Sequence, residues 1–130
     1  MTRTATCSCG RLSVICQGEP VRISMCHCLE CQKRSGSTFA AQARWPREKV
    51  TINGSATQYV RVGDSGNKAT FHFCPTCGST VYYWISDVPD VIAIAIGAFG
   101  DPTFPSPKFS VYETRKHAWT GIPADAEHFD

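Results

Sequence analysis

The chain has 130 residues, a formal net charge of +2 and 18% charged residues. A chain of this length has room for one hydrophobic core, so we expect a single domain over residues 1–130. The weak net charge gives no reason to expect nucleic acid or an acidic membrane surface as a partner, and no apolar stretch approaches the roughly 20 residues that span a bilayer.

The number and setting of the cysteines point to a reducing compartment. The chain has 8 cysteines, too few for a short secreted disulfide scaffold. Its first 25 residues lack the apolar segment of a secretory signal. We therefore expect a cytoplasmic protein, in which thiols stay free or bind metal rather than pair.

Strand signals dominate from the beginning of the chain. Runs rich in β-branched residues at 11–16 and 21–25 are separated by a turn-like segment. Residues 37–45 fit either a strand or a short helix, and Asn53-Gly54 is a strong hairpin signal. Further strand-like runs lie at 57–62, 68–73, 80–86, 91–96 and 108–113.

Helix signals are weak by comparison. No segment repeats apolar residues at a period of 3.6 over three turns. The acidic end, residues 124–130, is expected to be a frayed tail. The sequence thus predicts an all-β fold of eight or nine short, curved strands, with cysteine-containing turns at their ends.

The segment CPTCG, which contains Cys74 and Cys77, is the most specific local signal. Two residues between the cysteines let the chain fold around one ion, and Gly78 can take the positive φ that such a turn requires. A thioredoxin-like redox pair is the alternative, but that motif opens a helix, whereas this one joins two strand-like runs. Residues i and i+2 of a strand point to one face, so the CxC pair near the beginning of the chain supplies the other half of a closed, structural zinc site. The predicted ligands are Cys7, Cys9, Cys74 and Cys77.

Three more cysteines, Cys26, Cys28 and Cys31, lie within CHCLEC. A structural zinc takes four protein ligands, whereas three ligands and an exchangeable position are typical of a reactive site. The sequence therefore favours an open three-thiolate zinc site. A fourth ligand would close it, and the residues available for that role are Cys16, His27 and His72.

Three thiolates give a zinc ion a soft, electron-rich ligand set that suits another sulfur in the fourth position better than a hydroxide. The loop that follows offers Arg34, the hydroxyls of Ser35 and Ser37, and Gly36, where backbone N–H groups could approach a carboxylate. The same loop also fits a solvated polar segment. Some aromatic residues could wall a pocket, although aromatics at strand spacing are more often core: Trp45, Tyr59, Tyr82, Tyr83 and Trp84.

These motifs together resemble the family of glutathione-dependent formaldehyde-activating enzymes, whose domain also occurs in a centromere protein. The resemblance rests on CSCG at 7–10, CHCLECQKRSGSTF at 26–39, FCPTCGSTVYY at 73–83, AIGAFGDP at 95–102 and KHAWTGI at 116–122. It covers nearly the whole chain in the right order.

The resemblance implies coiled β-sheets of Mss4-like type with zinc knuckles, and two zinc ions per chain. It assigns the structural zinc and the second zinc to the same two groups of cysteines as the ligand counting. It also implies carbon–sulfur lyase chemistry on an adduct of formaldehyde and glutathione, with Arg34 and the loop Ser35–Ser37 holding the peptide carboxylates.

Two functions follow from these observations. The first is a zinc-dependent carbon–sulfur lyase that acts on a thiol–aldehyde adduct such as S-hydroxymethylglutathione. The alternative is a non-catalytic zinc-binding module that mediates a protein interaction. Nucleic-acid binding through a zinc ribbon finds no clustered basic stripe to support it.

Overall fold

A computed structural model describes residues 1–130, and most of its regular structure is strand, which confirms the all-β prediction. There are eleven strands rather than eight or nine. They are β1 Thr2–Thr6, β2 Ser13–Gln17, β3 Arg22–Cys26, β4 Ala40–Pro46, β5 Val50–Asn53, β6 Thr57–Val62, β7 Lys68–Phe73, β8 Thr80–Ile85, β9 Val91–Ala95, β10 Phe109–Val111 and β11 Glu127–His128. One α-helix, α1, covers Leu29–Ser35, and short 3₁₀ helices cover Arg47–Lys49, Ile96–Phe99 and Glu113–Arg115.

The strands form two sheets. The small sheet has the order β1-β2-β5, and the large one has the order β11-β10-β3-β4-β9-β8-β7-β6. Most neighbours pair antiparallel, while β10 pairs parallel with both β3 and β11. The assignment of these sheets to the Mss4-like group stays a prediction.

The main core joins the small sheet to one face of the large sheet. Leu12 and Val14 from the small-sheet side meet Trp45 and Ile94 of the large sheet, and all four are fully buried. Trp45 also donates a hydrogen bond from Nε1 to the Gly18 carbonyl at 3.0 Å, so its one polar atom is satisfied. Because side chains alternate along a strand, the residues between these core positions face the other side of the large sheet.

The helix α1 is an element that the sequence did not predict. It has only 7 residues, which is too short to show a helical period. Its ends are nevertheless well defined: the sulfur of Cys28 accepts a hydrogen bond from the Cys31 N–H, and Gly36 ends it with φ 69°. No helix in the protein is long and apolar enough to cross a membrane.

The expectation of a frayed acidic tail was wrong. Residues Glu127–His128 form β11, which pairs parallel with β10, and Ala126 before it is buried. Backbone groups make this pairing between segments almost twenty residues apart in the chain, and no side-chain pattern predicts it. The ambiguous residues 37–45 form strand rather than helix, since β4 covers Ala40–Pro46.

The burial of Trp45 gives a direct test of the packing. We expect Trp45→Ala to lower the free energy of unfolding by about 3–5 kcal/mol, because it leaves a large cavity and an unpaired Gly18 carbonyl. The matched control is Trp119→Ala, since Trp119 is 74% exposed and Trp45 is fully buried. Urea unfolding of zinc-loaded protein measures both, and an equal loss in the two variants would contradict this description of the core.

Candidate metal centres and cavity

The first cysteine group lies where the small sheet meets the β7–β8 turn. The sulfurs of Cys7, Cys9, Cys74 and Cys77 lie within 4.8 Å of one another. Sγ of Cys9 is 3.7 Å from that of Cys7 and 3.6 Å from that of Cys74. Four sulfurs at these separations fit the donor set of a tetrahedral structural zinc.

The backbone builds the two halves of this group in the same way. Gly10 and Gly78 have φ of +81° and +80°, a conformation that favours glycine. The Gly78 N–H donates to the Cys74 carbonyl at 2.8 Å, and the Gly10 N–H donates to the Cys7 carbonyl at 3.1 Å. Each turn thereby brings its cysteines around one point.

Backbone N–H groups also support the sulfurs, and two serines connect the turns that carry them. Leu12 N–H donates to Sγ of Cys7 at 3.2 Å, as a thiolate requires. The hydroxyls of Ser8 and Ser79 lie 2.9 Å apart and connect the two turns directly. The group is therefore a joint between sequence segments about 65 residues apart as well as a set of metal donors.

The second group lies at the beginning of α1. The sulfurs of Cys26, Cys28 and Cys31 also lie within 4.8 Å of one another. Cys26 ends β3, Cys28 caps the helix and Cys31 lies in its first turn. The pKa of Cys28 is held below its ordinary value, because its sulfur accepts hydrogen bonds from the Cys26 and Cys31 thiols and from the Cys31 N–H.

None of the three residues that sequence reasoning left open as a fourth ligand belongs to this group. His27 is fully buried and its Nε2 lies 2.9 Å from the Ser110 hydroxyl. His72 stacks on Tyr82 with ring centroids 4.3 Å apart. Cys16 is buried in β2, where burial raises the pKa of its thiol to about 12. The second group thus has three sulfurs and no further His, Cys, Asp or Glu donor.

A cavity of about 690 Å³ opens beside this trio and is lined by all three of its cysteines. Its floor is the face of the large sheet that points away from the main core. Strand register explains the lining: Arg44 of β4 pairs with Ala93 of β9, which pairs with Tyr83 of β8, which pairs with Phe71 of β7. These side chains form one row across the sheet.

Positive charge dominates the cavity. Four arginines line it, none of them in an ion pair with an acidic residue of the chain: Arg22, Arg34, Arg44 and Arg61. The guanidinium of Arg34 lies 4.5 Å from the ring centroid of Phe71, and that of Arg61 lies 5.2 Å from it. The acidic residues that line the cavity, Glu30 and Asp64, are exposed. The cavity therefore suits a ligand with negative charge.

In the structure, the residues of the predicted carboxylate-binding loop do not all face the cavity. Arg34 lines the cavity, whereas Ser35, Gly36 and Ser37 are exposed. Gly36 and Ser37 line a separate shallow depression beside Trp119. A role for the three loop residues in substrate binding stays a prediction.

Sequence reasoning did not single out Arg22, Arg44, Arg61 or Tyr112, all of which line the cavity. For Arg22 and Arg44 a signal was present, since polar residues alternate along both strands at 22, 24 and 26 and at 42 and 44. No sequence signal identified Tyr112, because its left-handed backbone conformation with φ 58° is visible only in the structure. A bulky residue in that conformation is uncommon and marks a functional position more often than chance.

This fold and these two cysteine groups define a class of small all-β proteins with two sites suited to zinc. The chain belongs to the family described as glutathione-dependent formaldehyde-activating enzyme, whose model matches residues 2–115. The fold is also similar to the crystal structure of a Rhodobacter sphaeroides protein, with a TM-score of 0.59 and 20% identity, covering 78% of this chain and 91% of that one. No curated protein matches the sequence.

We predict different effects on stability when single cysteines are replaced in the two groups. Cys77→Ser removes one of four donors at the joint between distant segments, so we expect one metal ion fewer and a large loss of stability, since structural zinc contributes folding free energy. Cys28→Ser should also lose one metal ion but stay folded. Metal content by mass spectrometry and thermal melts measure both effects.

Cys16→Ala is the matched control, because Cys16 is a buried cysteine outside both groups. It should keep the full metal content. Global unfolding of the Cys28→Ser variant, or an unchanged metal content in either serine variant, would contradict the division into a structural and an open site.

Proposed function

We propose that the protein is a zinc-dependent carbon–sulfur lyase that forms or cleaves the bond between a thiol and an aldehyde carbon, as in S-hydroxymethylglutathione. One observation carries the proposal: three cysteine sulfurs converge without a fourth protein donor, and they do so in the wall of a cavity. Membership of the family supports the same chemistry. The ligands proposed for the open zinc are Cys26, Cys28 and Cys31, and those for the structural zinc are Cys7, Cys9, Cys74 and Cys77.

Cys26, Cys28 and Cys31 would hold the zinc ion, whose chemistry when bound would be to lower the pKa of a substrate thiol. The remaining requirements fall to the residues of the cavity. The thiol gives up its proton to solvent, its sulfur lone pair forms a bond to the aldehyde carbon, the C=O π electrons move to oxygen, and that oxygen takes a proton from solvent. Cleavage runs through the same steps in reverse.

Tyr83 is the residue that we propose as the hydrogen-bond donor to this oxygen. It lines the cavity together with the trio, and the charges of Cys31 and Cys26 act on its hydroxyl. A phenol is protonated at neutral pH, so its O–H is available to stabilise a developing alkoxide. Phe71, with its ring centroid 4.9 Å from that of Tyr83, holds the ring in place.

Two arginines offset the negative charge of the thiolates. The charge of Arg61 favours the thiolate form of Cys28, and the charge of Arg34 favours that of Cys31. Three thiolates and one Zn²⁺ carry a net charge of about −1, which this pair compensates while the substrate sulfur approaches. We propose in addition that Arg34 contacts the carboxylate of an anionic substrate.

The chemistry suits the cytoplasm, where a reducing environment keeps both the trio and a thiol substrate unpaired. The addition of a thiol to formaldehyde needs no further cofactor. The protein contributes positioning and exclusion of water, which together supply much of the effect when two reactants must meet.

The function is tested by the rate at which glutathione and formaldehyde exchange with their adduct. We expect zinc-loaded wild-type protein to accelerate this exchange in two-dimensional exchange NMR, and Cys28→Ser to abolish the acceleration while staying folded. If the wild-type protein does not accelerate the exchange and thiols do not bind at the second metal, the lyase function is wrong. The alternative, a non-catalytic zinc module, would then be the function.

Replacement of one tyrosine tests the proposed hydrogen bond. Tyr83→Phe should slow the exchange by about 10- to 100-fold, the effect of one lost hydrogen bond to a charged group, without changing metal content. The matched control is Tyr82→Phe, because Tyr82 pairs with Ile94 on the opposite, core-facing side of the same strand. Equal rates for Tyr83→Phe and wild type would refute the role of the phenol.

A further inference from the structure

The strand β6 forms one edge of the large sheet. Its residues Thr57–Val62 pair with β7 alone, and no strand lies on its outer side. The opposite edge of the sheet is β11, which has only 2 residues and offers little backbone for pairing. Proteins protect exposed edges with proline, lysine or a bulge, and β6 contains none of these. It is therefore open to pairing with a further strand.

The pairing with β7 decides which backbone groups of β6 point outward. Residues of an antiparallel pair alternate between hydrogen-bonded and non-hydrogen-bonded positions. The Gly63 N–H donates to the Asn67 carbonyl at 2.7 Å, so this pair, one step beyond β6, is hydrogen-bonded. Arg61, Tyr59 and Thr57 follow at steps of two and direct their backbone groups toward β7. The residues between them direct their N–H and C=O groups to solvent: Gln58, Val60 and Val62.

The side chains make the same edge apolar. Tyr59, Val60 and Val62 are 57%, 47% and 60% exposed. Three of the 10 exposed large hydrophobic residues of the protein thus lie within one strand of 6 residues. Single apolar residues scattered over a surface need no explanation, but apolar side chains collected along an unpaired edge mark an interaction site.

A second copy of β6 is the partner that fits this edge. Two copies related by a two-fold axis pair antiparallel, and their outward-facing residues must lie opposite one another. The register with Val60 on the axis gives the longest overlap, because Gln58 of each copy then pairs with Val62 of the other. A register with Arg61 on the axis is shorter and places two like charges directly opposite each other, which is destabilising.

The side chains also match in the register centred on Val60. Arg61 of one copy lies opposite Tyr59 of the other in a non-hydrogen-bonded pair, where Cα atoms are about 4.5 Å apart. The only charge of the strand therefore meets an aromatic ring, which attracts a guanidinium, and this contact occurs twice by symmetry. Within the chain, Tyr59 already stacks on Phe71 with ring centroids 6.5 Å apart, which holds the ring in position. On the opposite face of the sheet, Val60 of one copy packs against Val60 of the other.

We propose that the protein forms a homodimer through β6, in which the two eight-stranded sheets become one continuous sheet. Arg61 lines the cavity, so the second copy contributes Tyr59 to the edge of that site. The contact is one strand wide, and we therefore expect a reversible dimer whose population rises with concentration. The dimer does not depend on the proposed reaction.

Sedimentation-velocity ultracentrifugation of zinc-loaded protein over a range of concentrations tests the dimer. Wild-type protein should shift from monomer to dimer as its concentration rises. Val60→Lys places two ammonium groups beside each other on the axis and should raise the dissociation constant at least about 10-fold. The matched control is Val21→Lys, because Val21 is 62% exposed but lies just before β3, far from β6 in the order of the sheet. It should dimerise like wild type.

A proline at the centre of β6 separates the outer hydrogen bonds from those to β7. Val60→Pro removes an N–H that points outward, so the dimer loses two hydrogen bonds while the pairing with β7 stays intact. The dissociation constant should rise about 10- to 100-fold. Metal content and thermal melts close to those of wild type show that each variant is folded.

Substitutions at Tyr59 test the register. Tyr59→Lys places an ammonium group opposite Arg61 of the other copy and should weaken the dimer, whereas Tyr59→Glu provides a carboxylate there and should keep it. Equal dissociation constants for these two variants would overturn the proposed register.

Hydrogen exchange followed by NMR examines the pairing residue by residue. The amides of Tyr59 and Arg61 bond to β7 in monomer and dimer, so they should stay protected at every concentration. Those of Gln58, Val60 and Val62 should become protected only as the dimer forms.

A wild-type protein that is monomeric up to about 1 mM would overturn the proposal. A dimer that is equally stable in Val60→Lys and wild type, with the amides of Gln58, Val60 and Val62 still exchanging freely, would also overturn it, because the copies would then meet through another surface. Loss of the dimer in Val60→Lys and Val60→Pro but not in Val21→Lys supports it.

Discussion

Side chains of neighbouring residues in a strand point to opposite faces of a sheet, and here this constraint separates the core of the protein from its cavity. On β4, Ala43 and Trp45 pack into the main core, while Gln42 and Arg44, which alternate with them, line the cavity. On β8, Tyr82 belongs to the core and Tyr83 to the cavity. A slip of one residue in the pairing would exchange the two sets, so the burial of Trp45 also fixes the arginines that face the ligand.

The close approach of cysteine sulfurs to one another is the second constraint on the structure. Four sulfurs in one group and three in the other lie within 4.8 Å of their neighbours. As thiolates they repel one another strongly unless a cation lies among them, and in the chain backbone N–H groups, the Ser79 hydroxyl and nearby arginines oppose this repulsion. The difference between the groups lies in their connections: the first joins β1 and the β7–β8 turn, while the second is contained within six residues at the end of β3 and the beginning of α1.

Local patterns predicted much of this arrangement. The spacing of the cysteines separated two groups, the glycine after Cys77 indicated a turn with positive φ, and alternating β-branched runs indicated strands. The features that sequence reasoning missed depend on contacts between distant segments or on elements too short to show a period. Helix α1 has only two turns, β11 is set by backbone pairing with β10, and the juxtaposition of Arg22 and Arg44 requires the register of β3 and β4. Spacing within one segment carries no information on which residue of another segment it meets.

The different connections of the two cysteine groups also set an order of events during synthesis. The trio is complete as soon as Cys31 has been made, whereas the four-cysteine group waits for Cys77. At a translation rate of about 5–20 residues per second, the second event follows the first by several seconds. A nascent chain therefore contains the three-sulfur group before β4 and most other strands of the large sheet have been made.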